Sequence, residues 1–140
     1  MSTDDVVLNK AAAIERCIRR VREVYAGDPA NLRDDLTKQD SIVLNLQRAC
    51  EACIDLAMYL VRRARLGIPQ ESRDAFALLA AAGQLDAAVA DGLVRMVGFR
   101  NVAVHDYTRL DLEIVRAIVE RHLDDLLRFS SGAIRATSRG

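Results

Sequence analysis

Residues 41–66 read SIVLNLQRACEACIDLAMYLVRRARL and carry the strongest structural pattern of this 140-residue chain. Apolar residues recur there at intervals of three and four, which is the repeat of one buried face of an α-helix. Gly67 and Pro69 follow, and neither favours continuation of a helix. The stretch therefore predicts a long buried helix with the apolar positions Ile42, Leu46, Ala49, Cys53, Leu56 and Leu60.

The sequence before this stretch predicts one more long helix. Thr3 or Asp4 is a suitable N-cap, and Gly27 provides a left-handed stop. Residues 30–38 are mostly polar and predict at most a short helical turn. The buried face of the first helix is expected at Val7, Ala11, Ile14, Ile18, Val21 and Tyr25.

Three further helices are predicted after Pro69. One begins near Ser72 and ends near Gly83, and the next begins after Asp86 as a possible N-cap. Residues 108–111, TRLD, resemble a capping box that opens a last helix, with Val115, Val119, His122 and Leu126 on its face. We expect residues 1–129 to form a single domain and residues 130–140, which are small and poorly patterned, to form a flexible tail.

Composition supports an all-α fold. Hydrophobic residues make up 51% of the chain but aromatic residues only 4%, and there are two prolines. The short connections between the predicted helices favour an antiparallel bundle of four to five helices. No apolar stretch is long enough to cross a bilayer and the N-terminus lacks a signal-peptide pattern, so a cytoplasmic protein is expected.

Charge and cysteine content exclude several classes of site. The 20 basic residues balance the 20 acidic ones, so any nucleic-acid site must be local. The three cysteines are an odd set that predicts reduced thiols, and the Cys50–Cys53 pair reads as small buried residues rather than metal ligands. We therefore expect no metal and no cofactor. Two arginine clusters are interpreted either as guides for RNA or as solvated faces: Arg16, Arg19, Arg20 and Arg22, and Arg62, Arg63 and Arg65.

One cluster of polar residues indicates chemistry. Residues 100–107 read RNVAVHDY and place Arg100, Asn101, His105 and Tyr107 on an apolar background. An arginine can clamp a phosphate, and a histidine can give and take protons near neutral pH. The combination suggests phosphodiester chemistry.

The spacing of this cluster poses a problem. Five helical residues turn the face by about 140°, so Arg100 and His105 would point apart. Either the helix loosens around Val104, or each residue contributes to one site across a subunit interface. A structural interpretation is also open, in which Arg100 lies along the surface, His105 caps the helix and the Tyr107 hydroxyl is in water.

The phrase FRNVAVHDYTRLD resembles the Arg-x4-His-x-Tyr motif of HEPN-domain toxins of the HepT type. The resemblance extends from Gln39-Asp40-Ser41, through Cys50-Glu51-Ala52, to about Phe129. It implies an all-helical homodimer in which two copies of the motif form a cleft and cleave RNA without a metal. In that cleft Arg100 would hold the phosphate, Asn101 would orient it, and His105 of both copies would transfer protons. His122, the only other histidine, is expected to be half-buried and structural.

The resemblance also implies a partner. Such toxins belong to toxin–antitoxin pairs of type II or VII, with a small nucleotidyltransferase antitoxin of the MntA type. That antitoxin can silence the toxin by attaching AMP to the motif tyrosine, here Tyr107, and cleavage is expected to leave 2′,3′-cyclic phosphate ends. The alternative is a non-catalytic interaction module that binds the nucleotidyltransferase and is its modification substrate.

Overall fold

The described part of the chain is entirely helical. A computed structural model describes residues 4–138, and no strand occurs in that range. A 3₁₀ turn, Tyr107–Arg109, interrupts the series of α-helices. The α-helices are α1 (Asp5–Tyr25), α2 (Ala30–Arg33), α3 (Leu36–Ala64), α4 (Ser72–Ala81), α5 (Ala87–His105), α6 (Leu112–Arg121) and α7 (Leu123–Ser138).

Helix α3 is the centre of the bundle and contacts α1, α2, α4, α5 and α7. Its predicted stripe is confirmed, since every apolar position from Ile42 to Leu60 named above is buried. The helix begins five residues earlier than position 41. The reason is that the carboxylate of Asp35 caps it by accepting from the backbone N–H of Lys38.

Helix α1 also follows its prediction. The side chain of Asp4 accepts from the N–H of Val6 and caps the helix, whereas the alternative cap, Thr3, lies outside the described residues. The left-handed stop begins one residue before Gly27, because Ala26 has φ 50° and Gly27 φ 71°. All six predicted positions of its apolar stripe are buried.

Helix α5, which carries most of the polar cluster, and α4, which packs against it, both begin with well-formed caps. Glu71 and Asp74 form a reciprocal capping box at the start of α4. Asp86 caps α5, as predicted, by accepting from the N–H of Val89. Residues 87–105 then form one uninterrupted α-helix, so the cluster is carried by a rigid element.

The predicted last helix is wrong in two details. The Thr108 hydroxyl donates to Asp106 and caps nothing, while Asp111 caps α6 by accepting from the N–H of Glu113. The helix also ends at Arg121, and α7 starts at Leu123 after a break at His122. Together with α2, this break gives seven α-helices in residues 4–138, where four to five were predicted.

The predicted tail is wrong for residues 130–138, which continue α7. Ser130, Ala133 and Thr137 are 0%, 4% and 4% exposed and extend the buried face of the helix beyond Phe129. The Thr137 hydroxyl donates to the carbonyl of Ala133, so its polar group is satisfied inside the helix. Because the buried residues of this segment are small or polar, the sequence pattern did not predict a packed helix there. Residues 139 and 140 lie outside the described range.

One hydrophobic core joins these helices. Phe76 of α4 and Phe129 of α7 meet edge to face within it, with ring centroids 5.6 Å apart. Within residues 4–138, no helix is long and apolar enough to span a membrane.

Candidate active site

The polar cluster occupies the end of α5 and the 3₁₀ turn that follows. The α5 backbone stays helical through Val104 to His105, so the helix does not loosen to bring Arg100 and His105 together. The two side chains leave the helix about 140° apart. The first of the two arrangements considered for a joint site, a helix loosened around Val104, is therefore not observed.

Arg100 is half-buried and has an unusual environment. Its Nη2 lies 3.5 Å from the hydroxyl oxygen of Ser72 at the start of α4. Its Nε is buried without a hydrogen-bond partner, and no carboxylate of residues 4–138 forms an ion pair with it. A half-buried cation without a counter-charge favours an anionic ligand. Arg100 does not simply lie along the surface, as the structural interpretation had it.

Asn101 is half-buried on the neighbouring face of α5. It lines a cavity of about 270 Å³ together with Val97 and three residues around the start of α4, Glu71, Ser72 and Arg73. Its side-chain amide makes no hydrogen bond to the rest of the described chain and so remains available to a ligand.

His105 is the last residue of α5 and is exposed. It forms no hydrogen bond or ion pair with any residue between 4 and 138. Val102 and Val104, on the same stretch, are also exposed, at 38% and 45%. The imidazole is therefore free to meet a substrate or a second protein chain.

Tyr107 lies in the 3₁₀ turn and is 40% exposed. Its hydroxyl donates to Asp40 Oδ1 at 2.8 Å, so it does not point only into water. Burial raises the pKa of Tyr107 to about 12, and the hydrogen bond to Asp40 and its negative charge act in the same direction. Asp40 is a new member of this site. Its only signal in the sequence was its place at the start of the region of resemblance.

The comparison with known proteins decides the family. The family model described as ribonuclease HepT-like matches residues 14–132. The chain belongs to the HepT-like ribonuclease family. It is 51% identical to the mRNA nuclease HepT of Shewanella oneidensis over 126 residues, which are 90% of this chain and 94% of that protein.

Solved structures agree with this assignment. The tri-AMPylated Shewanella oneidensis HEPN toxin, in complex with an MNT antitoxin, superposes with a TM-score of 0.88 at 50% identity, covering 95% of this chain and 98% of that one. A toxin–antitoxin structure with AMP-PNP also has a TM-score of 0.88, at 49% identity, with 95% and 99% covered. The HEPN resemblance and the all-α fold are thereby confirmed, and the chain is a ribonuclease by family.

His122 of this HepT-like ribonuclease has a structural environment. It is half-buried, as predicted, and its Nδ1 lies 3.5 Å from Asp125 Oδ2. Gly92 of α5 makes room for this carboxylate, because a Cβ at that position would lie 2.5 Å from Asp125 Oδ2. The histidine thus belongs to the junction of α6 and α7, and that junction packs on α5.

The cysteines of the HepT-like chain are unpaired thiols. Cys50 and Cys53 are 2% and 1% exposed, which fits small buried residues. Burial raises the pKa of Cys50 to about 12, although the nearby Arg100 charge acts in the opposite direction. Burial also raises the pKa of Cys53. No group of three or more His, Cys, Asp or Glu side chains in the described range is placed to hold a metal ion.

The two arginine clusters differ in their pairing. On α1, Arg22 pairs with Asp124 at 3.0 Å and Arg20 with Glu23 at 3.3 Å, so part of that charge is neutralised. At the end of α3, the arginines are exposed and form no ion pairs within residues 4–138: Arg62, Arg63 and Arg65.

Proposed function

We propose that this chain is the toxin of a toxin–antitoxin pair of type II or VII, and that it cleaves RNA without a metal ion to leave 2′,3′-cyclic phosphate ends. One observation carries the proposal. The end of α5 presents a half-buried Arg100 and an exposed His105, and within residues 4–138 the first has no counter-charge and the second no partner. Anion binding and proton transfer are the two functions that such cleavage requires.

The residues divide the reaction between them. Arg100 holds the scissile phosphate, and Asn101 orients it from the adjacent cavity. One His105 removes the proton of the 2′-hydroxyl, whose oxygen attacks phosphorus. A second His105 protonates the departing 5′-oxygen. The bond from phosphorus to the 2′-oxygen forms as the bond to the 5′-oxygen breaks, which leaves the cyclic phosphate.

A homodimer supplies the second histidine. One chain carries a single histidine in the motif, and its helix directs Arg100 and His105 about 140° apart. A two-fold axis beside the end of α5 would place both copies of His105 in one cleft. The exposed Val102 and Val104 give the end of α5 apolar surface that an interface would bury.

The cleavage assay uses purified protein, a labelled RNA and a chelator. We expect fragments with 2′,3′-cyclic ends from the unmodified chain and far fewer in the same time from Arg100→Ala or His105→Ala. Arg95→Ala is the matched control, because Arg95 is exposed on the same helix outside the motif. Cleavage that stops when the chelator is added contradicts the metal-independent reaction.

Mixed dimers test the symmetric site. Unmodified chain and His105→Ala are unfolded together in equal amounts and refolded. If both histidines are required, activity falls with the square of the unmodified fraction, to about a quarter. Independent sites would instead retain about half of the activity.

The proposed partner is a nucleotidyltransferase antitoxin that attaches AMP to Tyr107. A relative at 50% identity is tri-AMPylated in complex with an MNT antitoxin, and the Tyr107 ring is 40% exposed here. The second candidate function, a non-catalytic interaction module, uses the same tyrosine. Absence of cleavage together with AMP transfer to Tyr107 would favour the module.

The unpaired arginines at the end of α3 are proposed to guide the RNA backbone towards the cleft: Arg62, Arg63 and Arg65. Contacts to phosphates make binding depend on salt concentration. Neutralising these side chains should reduce the salt dependence of RNA binding, and an unchanged slope would leave them as a solvated face.

A further inference from the structure

Asp40 is a carboxylate in the first turns of α3 with a single side-chain partner within residues 4–138. Its Oδ1 accepts the hydroxyl of Tyr107 at 2.8 Å, across 67 residues of sequence. No Lys, Arg or His of the described chain forms an ion pair with it. An exposed acid whose only partner among the described residues is a tyrosine has no evident role in the packing of the bundle.

We infer that Asp40 is the proton acceptor through which the Tyr107 hydroxyl attacks a nucleoside triphosphate. The inference deepens the proposed function, because it rests on Tyr107 being the residue that receives AMP. A residue of the toxin chain, rather than of the antitoxin, would then remove the Tyr107 proton in the AMP transfer that silences the toxin.

The chemistry of the phenol requires such an acceptor. With a pKa of about 12, Tyr107 is protonated at neutral pH and is a weak nucleophile. In the transfer step its Oη forms a bond to the α-phosphorus of ATP, and the bond from that phosphorus to the pyrophosphate oxygen breaks. The hydroxyl proton passes to Asp40 Oδ1, and the electron pair of the broken bond leaves with pyrophosphate.

Neighbouring groups are less suited to this role. The Asp106 carboxylate accepts the hydroxyl of Thr108 and lies 3.8 Å from the Arg109 guanidinium. His105 precedes the tyrosine by two residues but has no hydrogen bond to it. Asp40 is the acceptor already in position, and it belongs to α3, a 29-residue helix at the centre of the bundle.

AMP transfer to Tyr107 would also remove the hydrogen bond to Asp40 through which the transfer takes place. AMP-tyrosine has no phenolic proton to donate, and its phosphodiester places a negative charge beside the Asp40 carboxylate. Like charges repel, so the modified side chain would leave α3. The 3₁₀ turn directly after His105 would then lose its hydrogen bond to the bundle.

The main experiment compares rates of AMP transfer to Tyr107. The full-length chain, Asp40→Asn and the control Asp34→Asn are incubated with ATP and the nucleotidyltransferase, and modification is followed by intact mass. Asp34 is an exposed acid of the same region without a tyrosine partner. We expect Asp40→Asn to be slower by about 10-fold or more at pH 7 and to recover as the pH approaches that of phenol ionisation. Asp34→Asn should take up AMP at the rate of the wild-type chain.

A second assay does not need the partner. N-acetylimidazole acetylates tyrosine hydroxyls, and the reaction at Tyr107 is isolated by subtracting Tyr107→Phe. Asp40→Asn should be acetylated more slowly at neutral pH, and the Tyr107 phenol should ionise at a lower pH without the adjacent charge. Circular dichroism checks that each variant is folded.

The outcomes separate the two proposals. If the wild-type chain takes no AMP but acetylation of Tyr107 still depends on Asp40, the proposed silencing fails while the role of Asp40 as proton acceptor is supported. Equal rates and equal pH profiles for Asp40→Asn and the wild-type chain, in both assays, would overturn the inference.

Discussion

The two histidines of this chain both stand at the C-terminal end of a helix, yet their surroundings are opposite. His105 ends α5, is exposed and has no partner in the described structure. His122 follows α6, is half-buried and lies 3.5 Å from Asp125. Both directly follow the last turn of a helix or end it, so position along the helix does not by itself distinguish them. What distinguishes them is whether another helix supplies a partner.

The regions around these histidines show the same contrast. At the end of α5, Arg100 and Asn101 also lack full sets of partners. At the junction of α6 and α7, Val119, Leu123 and Leu126 are buried, and His122 and Asp125 between them lie 3.5 Å apart. Polar groups without partners in the described chain thus set the end of α5, the candidate site, apart from the junction of α6 and α7, where buried apolar groups pack together.

Removing the functional groups should have the largest effect. We expect His105→Ala and Arg100→Ala each to lower the rate of RNA cleavage by about 10²- to 10³-fold, because each removes a proton-transfer group or the charge that holds the phosphate. Single-turnover cleavage of a labelled RNA measures this, with circular dichroism as the folding control. Losses below about tenfold would mean that chemistry does not depend on the end of α5.

A charge in the buried face of α7 should unfold the structural region. Ala133 is 4% exposed, and we expect Ala133→Asp to lower the free energy of unfolding by about 3 kcal/mol, because it buries a carboxylate without a partner. Urea unfolding measures the change. Ala136→Asp, at an exposed position of the same helix, is the matched control. Equal stability of the two variants would contradict the packed end of α7.

Tyr25, in the packed bundle, and Tyr107, beside the candidate site, should affect the free energy of unfolding at high pH to different extents. Burial raises the pKa of Tyr25 to about 12, with the hydrogen bond to Glu120 acting in the same direction. Because this pKa exceeds the value near 10 of an unfolded tyrosine, its stabilisation is complete below pH 10 and is lost as the pH rises towards 12.

Alkaline unfolding of variants checks this prediction. Tyr25 is 5% exposed and Tyr107 is 40% exposed, so solvent screens the second more strongly. Tyr25→Phe should therefore flatten the loss of stability between pH 10 and 12 more than Tyr107→Phe does. The reverse order would show that the 3₁₀ turn, rather than the contact between α1 and α6, limits alkaline stability.

The smallest effect is expected at the structural histidine. His122→Ala should keep RNA cleavage within about threefold and lower the free energy of unfolding by about 1 kcal/mol or less, because a partly exposed contact between an imidazole and a carboxylate contributes little. The same cleavage and unfolding assays measure it. A loss as large as that of His105→Ala would overturn the symmetric use of one histidine from each chain.

Most of the fold follows from apolar spacing. The stripes of α1 and α3 and the Asp86 cap were predicted, because they depend on residues three or four positions apart. The end of α7 was not, since its buried face uses Ser130, Ala133 and Thr137, which composition counts as polar or small. The break at His122 also escaped prediction, because the apolar spacing continues across it.

The candidate site divides in the same way. Arg100, Asn101, His105 and Tyr107 stand within eight residues and could be found from the sequence. Asp40 could not be assigned a role, because its contact with Tyr107 spans 67 residues and exists only after the bundle has formed. The half-burial of Arg100 is likewise a product of the packing of α4 against α5.

The buried Nε of Arg100 lowers the stability of the fold, although the same side chain is proposed to be needed for activity. Leaving a charged donor without a partner costs about 1 to 3 kcal/mol, and an apolar side chain of similar length would avoid that cost. Arg100→Met should therefore melt at a higher temperature than the chain with Arg100 while losing its RNA cleavage. Under the proposed function, a cell that escapes the nuclease by this substitution would accumulate a more durable inactive protein.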